Sequence, residues 1–146
     1  LTQIVGEFSE KAEANQLEMV VECPQPPVEI YVDGRHLWRI IDNLMGNICK
    51  YAQPGTRVYE TIKKFHGMVI MTFRNISKDR LKMTSEELFG RFVRGDSSRN
   101  TEGHGLGLSI AKSLTELMHG NLAVQMDGDL FKVILSFEEY QEDKKQ

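Results

Sequence analysis

Apolar residues recur along this chain with two different periods, one typical of helices and one typical of strands. Between Gly34 and Tyr51 they fall at positions i, i+3, i+4, i+7 and i+11, which predicts an amphipathic helix. Asp33 suits its N-cap, and a Gln-Pro-Gly sequence at 53–55 ends it. The same period predicts helices over Leu1–Gln16 and Leu106–His119. The stripe of the central helix comprises Leu37, Ile40, Ile41, Leu44 and Ile48.

Runs rich in β-branched and aromatic residues, separated by turn residues, predict six strands. A capping-box sequence further predicts a short helix over 84–89, followed by a long polar loop over 91–105. Strand pairs that alternate with helices favour an α/β (α+β) fold, a two-layer sandwich with a mixed, mostly antiparallel sheet covered by helices on one face. The predicted strands are Leu17–Glu22, Val28–Val32, Thr56–Phe65, Met68–Asn75, Leu122–Met126 and Leu130–Phe137.

Length and composition limit what such a chain can be. With 146 residues, 40% hydrophobic and 27% charged, it has the composition of an ordinary globular domain. The longest strongly apolar run, Met68–Phe73, is far shorter than a membrane span, and we expect no signal peptide in this stretch. The two cysteines are expected to be free thiols in a reducing compartment. We expect a helix or linker over 1–16, the domain over 17–137 and a flexible tail over 138–146.

The net charge of −3 conceals an uneven distribution. It argues against nucleic acid as a partner, because nucleic-acid-binding domains are usually basic. Yet the chain is acidic at both ends, and residues 31–112 carry a net positive charge. A chance distribution over a solvated surface explains this pattern, and so does a local site for a small polyanion.

Two asparagines on the central helix form the first candidate constellation. Asn43 and Asn47 are four residues apart, so they share one face at the edge of the apolar stripe. Carboxamide oxygens suit Mg²⁺, which also keeps waters and phosphate oxygens as ligands, and Lys50 one turn later could reach phosphate. For such a pair alone, two asparagines on a half-solvated helix face is the simpler interpretation.

Two further segments suit a phosphate-bearing ligand. A glycine-rich sequence over 103–108 opens a predicted helix, where backbone N–H groups are available to an anion. Between it and the asparagines lies Leu88-Phe89-Gly90-Arg91-Phe92-Val93-Arg94, with two arginines whose planar guanidinium groups match phosphate oxygens. Each segment alone has a purely structural explanation, but the three in this order favour a common site.

These segments resemble the motifs of the catalytic, ATP-binding domain of bacterial two-component sensor histidine kinases, which has the Bergerat fold. Residues 43–51 are similar to the family's N box, residues 88–92 to its F box and residues 103–108 to its G2 box. The resemblance covers residues 1–137. It implies an ATP pocket between sheet and helices, closed by a lid over 91–104.

The resemblance assigns roles residue by residue. Asn47 is expected to hold Mg²⁺ between the phosphates, Lys50 and Arg94 to contact phosphate, and Tyr51 to line the nucleotide pocket. The catalytic group would therefore be Asn47, Lys50 and Arg94. The remaining expected nucleotide contacts are Asn43, Asn75, Ser77, Arg91, Gly103, His104, Gly105, Leu106, Gly107 and Leu108.

The sequence departs from the family pattern at the base-binding motif. Where the family has an Asp-x-Gly pair whose aspartate accepts a hydrogen bond from the adenine amino group, this chain has Asn75 and Ser77. An asparagine carbonyl can still accept that bond but without charge assistance, so weaker adenine recognition is expected.

A second difference concerns the reaction. Hydrolytic members of the superfamily place a glutamate four residues before the magnesium-binding asparagine, and here that position is Asn43, which is no general base. The resemblance therefore implies phosphoryl transfer, not ATP hydrolysis. None of the four histidines has the residues that follow the family's acceptor histidine, so the acceptor is expected on a separate dimerisation domain.

The function implied is that of a protein-histidine kinase catalytic domain, which donates the ATP γ-phosphoryl to that histidine. Its expected partners are the dimerisation domain of a homodimeric receptor and a cognate response regulator. The domain would be cytoplasmic and make no membrane contact itself, within a protein held in the cell membrane. Two alternatives stay open: a nucleotide-weak docking module, and a serine kinase that acts as an anti-sigma factor.

Overall fold

The computed structural model describes residues 2–23, 28–79 and 104–140, with side chains from residue 8 onwards in the first range and from residue 107 in the last. Within these ranges the chain forms three helices and five strands. The helices are α1 (Thr2–Ala14), α2 (Gly34–Tyr51) and α3 (His104–Leu117). The strands are β1 (Glu18–Glu22), β2 (Arg57–Phe65), β3 (Met68–Ile76), β4 (Asn121–Asp127) and β5 (Leu130–Glu138).

Helix α2 has the bounds that its sequence predicts. The Asp33 side chain caps it, since Oδ1 accepts hydrogen bonds from the backbone N–H groups of Arg35 at 2.8 Å and His36 at 3.4 Å. At the other end Ala52 has extended backbone, and its N–H still reaches the carbonyl of Ile48. The predicted stripe is buried together with one more residue, Met45.

The five strands form one sheet in the order β1-β2-β3-β5-β4. Only β1 and β2 are parallel, and α2 is the crossover between them, as parallel neighbours require. The other three pairings are antiparallel, and tight turns containing Gly67 and Gly128, both at positive φ, join β2 to β3 and β4 to β5. The predicted mixed, mostly antiparallel sheet is confirmed.

The core lies between one face of this sheet and the helices. Side chains of β3 alternate, with Val69, Met71, Phe73 and Asn75 buried. Val133, Leu135 and Phe137 of β5 pair with the first three of these and are also buried. Because Asn75 is the last member of the buried row on β3, a polar side chain occupies a core-facing position at one end of the sheet.

The prediction of a strand over Val28–Val32 is wrong. Within that segment only Ile30 makes a bridge, to Glu139, and the Tyr140 N–H donates to the carbonyl of Glu29 at 2.7 Å. The reason is competition for partners, since β5 is already paired on both sides by β3 and β4. The segment therefore meets the chain only after β5 ends.

Helix α3 is shifted from its predicted bounds. It begins at His104, two residues before the predicted start, so the glycines at 105 and 107 lie inside the helix. It ends at Leu117, and His119 adopts a positive φ of 65°. The predicted helix over 84–89 and most of the predicted loop over 91–105 lie outside the described residues.

Candidate nucleotide-binding site

The end of β3 is tied to the end of α2 by backbone hydrogen bonds. The Gln53 N–H donates to the carbonyl of Ile76 at 2.7 Å, and the Lys78 N–H donates to the carbonyl of Tyr51 at 3.0 Å. Ala52 and Ser77 form an antiparallel bridge between them. These contacts bring residues that are 23 to 27 positions apart in the sequence to the same end of the molecule.

A pocket opens where these two ends meet. On α2 its wall comprises Asn47 and Tyr51, one turn apart, with Ile48 between them. The sheet contributes Asn75 and Ser77 from β3 and its extension, and Phe131 from β5. Four of these six lining residues, Asn47, Tyr51, Asn75 and Ser77, are residues that the sequence predicts to contact nucleotide.

The first turns of α3 lie on the other side of Asn47. A Cβ built on Gly107 would lie 3.9 Å from Asn47 Oδ1, an ordinary van der Waals distance. The described protein atoms therefore leave room for a side chain at 107. The backbone N–H groups of the first turn of α3 have no partner within their own helix, which makes that end attractive to an anion.

The polar side chains of the pocket differ in how far the protein satisfies them. The Asn47 amide nitrogen is buried and has no hydrogen-bond partner among the described residues, and the same holds for Asn43 Nδ2, one turn earlier. By contrast, the Ser77 hydroxyl donates to the Asp79 carbonyl at 2.8 Å and accepts from the Asp79 N–H at 3.2 Å. Buried amides usually find partners, so an unpaired one beside a pocket indicates a place for a ligand.

The other predicted site residues that the structure describes do not belong to the pocket lining. Lys50 points outward and is exposed, with Nζ 5.5 Å from the centre of the Tyr51 ring. Leu108 is fully buried in the core. Gly105 and Leu106 belong to the first turn of α3, and so does His104, whose side chain is not described. Arg91, Arg94 and Gly103 lie outside the described residues.

Two lining residues, Ile48 and Phe131, were not predicted as contacts. Ile48 was assigned to the core stripe, and it is indeed buried while also contributing to the pocket wall. Phe131 is the register partner of Asn75 across β3 and β5. The turn at 127–128 indicates only that β4 pairs with β5. The pairing of β5 with β3 depends on the order of the strands in the sheet, which no local signal in the sequence gives.

Three other features of the described residues bear on function. Cys23 and Cys49 are not in a disulfide, as predicted. No group of three or more His, Cys, Asp or Glu side chains in the described ranges is placed to hold a metal ion. No helix in these ranges is long and apolar enough to span a membrane.

Comparison with known proteins identifies the class of domain that this fold and pocket define. The sequence model of the family described as "Histidine kinase-, DNA gyrase B-, and HSP90-like ATPase" matches residues 32–141. The match covers most of the chain and includes every lining residue of the pocket. The chain belongs to this family.

Curated relatives place the chain among sensor histidine kinases within the family. It is 31% identical over 140 residues to the sensor histidine kinase RppB of Synechocystis. The aligned region covers 92% of this chain and 31% of RppB. It is 38% identical over 104 residues to the sensor histidine kinase HprS of Escherichia coli. The aligned region covers 70% of this chain and 22% of HprS. The chain thus spans less than a third of the length of these two relatives.

Solved structures agree on the fold. The nucleotide-free catalytic domain of the histidine kinase ThkA superposes with a TM-score of 0.79 at 18% identity, covering 94% of this chain and 89% of that domain. Full-length ShkA in complex with AMPPNP superposes with a TM-score of 0.75 at 23% identity, covering 96% of this chain and 29% of ShkA. The predicted fold and the resemblance to histidine kinase catalytic domains are therefore confirmed.

Proposed function

We propose that this domain binds Mg·ATP in the pocket between α2 and the end of β3 and supplies the γ-phosphoryl group to a histidine on a separate domain. The observation that carries the proposal is the position of Asn47. It lines the pocket with an unpaired amide nitrogen, while its Oδ1 faces the first turns of α3. One side chain thus borders both the space for a base and the helix end suited to phosphates.

The pocket lining offers groups that can contact a purine. Ile48 and Phe131 offer apolar and aromatic surface, and Asn75 offers hydrogen bonds at the buried end. Tyr51 and Ser77 complete the lining. Pockets for small ligands commonly combine a largely apolar lining with a few fixed polar groups, and this composition fits that description.

The phosphate groups would extend from this pocket toward the first turn of α3. Its unpaired N–H groups would bind phosphate oxygens, and the absence of a side chain at Gly107 keeps that space open. Asn47 would hold Mg²⁺ through Oδ1, and the residue types present fit this role, because a neutral amide oxygen is a normal ligand for that ion. When bound, Mg²⁺ would offset the charge of the phosphates. Lys50, Arg91 and Arg94 are further proposed phosphate contacts.

The described lining favours transfer over hydrolysis. Among its six residues no carboxylate or imidazole is present to activate a water molecule. Asn43, one turn before Asn47, carries an amide and cannot accept a proton at neutral pH. Phosphoryl transfer relies mainly on positioning and charge stabilisation, so the domain would hold the nucleotide while another domain presents the acceptor.

The acceptor and partners lie in the rest of the protein in this proposal. His66 and His119 line a different groove, at the end of the sheet away from the pocket, and His36 lies in the first turn of α2. We therefore place the acceptor histidine on a dimerisation domain of a homodimeric, membrane-held sensor, with this domain on the cytoplasmic side. A cognate response regulator would receive the phosphoryl group.

Isothermal titration of the domain with ATP, once with millimolar Mg²⁺ and once with EDTA, tests the proposal. We expect one binding site per domain and clearly tighter binding with Mg²⁺. Adding a separately produced dimerisation domain from the same protein should then give phosphohistidine. Failure to bind ATP or ADP under either condition would contradict the proposal and favour a docking module instead.

A further inference from the structure

Asn75 is a buried amide in the wall of the pocket. Its side chain is only 4% exposed, it lies one residue before the end of β3, and it faces the pocket beside Asn47 and Tyr51. A buried amide costs free energy unless it finds hydrogen-bond partners, so a ligand in this pocket can meet the donor and acceptor groups of Asn75.

The rest of the described lining offers little that could distinguish one purine from another. Ile48 and Phe131 have no polar atoms in their side chains, so they contact any purine ring equally. The Ser77 hydroxyl is engaged with the backbone of Asp79. Asn47, on α2, faces the first turns of α3, where the phosphates are proposed to bind. Tyr51 also lines the pocket, but its hydroxyl can donate or accept and so does not distinguish an amino group from a carbonyl. Recognition of the group at position 6 of the ring therefore falls mainly to Asn75.

An amide and a carboxylate differ in what they accept at that position. A carboxylate only accepts hydrogen bonds, so it favours the amino group of adenine and repels the carbonyl of a 6-oxopurine. An amide carries one acceptor and one donor group of nearly equal shape, and a half-turn about χ2 exchanges them. Asn75 can therefore accept from an amino group or donate to a carbonyl without any other movement.

We propose that Asn75 gives this pocket relaxed purine selectivity, so that it takes 6-oxopurine nucleoside triphosphates nearly as well as ATP. The inference rests on the proposed function, because it assumes that the pocket binds a nucleotide base. It adds the residue that sets the choice of base and the substrate class that follows. The amide is neutral, so its bond to either base lacks charge assistance and neither nucleotide gains a large advantage.

Titrations with ATP, ITP and GTP, each with Mg²⁺, test the proposal. ITP is the sharpest probe because its base carries the 6-carbonyl without the 2-amino group of guanine. We expect the dissociation constants of ATP and ITP to agree within about threefold, since each base makes one neutral hydrogen bond to Asn75. A preference of the wild-type domain for ATP above about 30-fold would overturn the inference, because that exceeds what one neutral bond supplies.

The substitution Asn75→Asp provides the second arm. A carboxylate at this position should tighten ATP, weaken ITP and raise their ratio by about 10- to 100-fold, the difference between a charge-assisted bond and a repulsive pair. Asn121→Asp makes the same change at an exposed position on β4 and should leave the ratio unchanged. An unchanged ratio in a folded Asn75→Asp domain would overturn the inference.

The outcomes separate the two claims. If ATP binds and ITP does not, the proposed function stands and relaxed selectivity is wrong. If none of the three nucleotides binds the wild-type domain, the proposed function fails and the inference fails with it. The wild-type ratio alone decides the matter if Asn75→Asp does not fold, which circular dichroism would reveal.

Discussion

Two regions of this domain bury polar side chains without protein partners, and they differ in what surrounds those side chains. At the end of β3, Asn75 borders a pocket together with Asn47, whose amide nitrogen has no partner among the described residues. In the middle of β2, Glu60 is fully buried, and neither of its carboxylate oxygens has a partner among the described residues. Its neighbours on the same face are Val58, Ile62 and, across the sheet, Phe73.

The comparison separates a candidate site from an isolated buried charge. An unpaired amide beside a pocket can be satisfied by a ligand, so its cost is recovered on binding. Glu60 is not part of the pocket between α2 and β3, and an ionised carboxylate there has no partner among the described residues to offset its lost hydration. Desolvation raises the pKa of Glu60 from 4.5 to about 7. The free energy of unfolding should therefore depend on pH.

The largest effect is expected at Glu60. Its pKa is higher in the folded state than in the unfolded state, so the folded domain binds the proton at a higher pH than the unfolded chain does. Its contribution to the free energy of unfolding is therefore most favourable below about pH 4.5, falls as pH rises toward about 7, and stays low above that. Glu60→Met should remove this slope and stabilise the domain by up to about 3 kcal/mol at about pH 8.

Urea denaturation at a series of pH values measures this effect. Glu22→Gln, which removes an exposed carboxylate from β1, serves as the control and should keep the wild-type slope. The contrast between the two regions would be lost if Glu60→Met kept the slope as well. Nucleotide affinity should be unaffected by Glu60→Met, because Glu60 does not line the pocket between α2 and β3.

A smaller effect, on binding instead of stability, is expected for Asn47→Ala. The Asn47 amide nitrogen makes no hydrogen bond in the protein, so its removal should change the free energy of unfolding by less than about 1 kcal/mol. Loss of a proposed metal ligand should weaken Mg·ATP binding by at least about 10- to 100-fold, the range seen when even indirect supports of a metal site are removed.

Calorimetric titrations of Asn47→Ala with and without Mg²⁺ give the measurement. Asn121→Ala removes the same side chain from the exposed start of β4 and should behave like the wild type. If Asn47→Ala binds ATP with undiminished dependence on Mg²⁺, the metal-binding role assigned to Asn47 is wrong.

The smallest effect is expected at Gly107, and Gly120 provides its counterpart. A Cβ at Gly107 meets only Asn47 Oδ1, at 3.9 Å, so Gly107→Ala should fold at least as stably, since alanine favours a helix by about 1 kcal/mol. A Cβ at Gly120 would lie 2.5 Å from the Phe137 ring and 2.8 Å from the Ser136 carbonyl oxygen. Gly120→Ala should therefore cost about 1–3 kcal/mol of stability.

Binding should rank the two glycines in the opposite order. Gly107→Ala should weaken ATP binding about 3- to 10-fold, because its methyl group intrudes on the proposed phosphate space, at a cost of about 1 kcal/mol. Gly120→Ala should bind normally wherever it is folded. Thermal unfolding and titration of both variants check the ranking, and equal affinities for Gly107→Ala and the wild type would count against the proposed path of the phosphates.

The sequence predicted those parts of the fold that local signals determine. Asp33 and the apolar stripe defined α2 from end to end. The segment Val28–Val32 has the composition of a strand, but its pairing depends on which neighbours β5 already has. The start of α3 was placed too late because its glycines resemble a loop, and tertiary packing overrides that weak preference.

The candidate site was predictable to a similar extent. Asn47, Tyr51, Asn75 and Ser77 were identified from motifs, and the structure brings them into one pocket. Phe131 was missed because its place opposite Asn75 follows from the pairing of β3 with β5 and not from any motif. Lys50 follows Asn47 by three residues on α2, yet it is exposed and is not part of the pocket lining.

The central claim is that the pocket between α2 and the end of β3 binds the nucleotide, and the side-chain amide signals of Asn47 and Asn75 report on it most directly. In a nitrogen–proton correlation spectrum of the labelled domain, Mg·ATP should shift both amide pairs and leave that of the exposed Asn121 in place. The account would be contradicted if saturating Mg·ATP left the signals of Asn47 and Asn75 unmoved, or if the shifts clustered at the opposite end of the sheet, around His66 and His119.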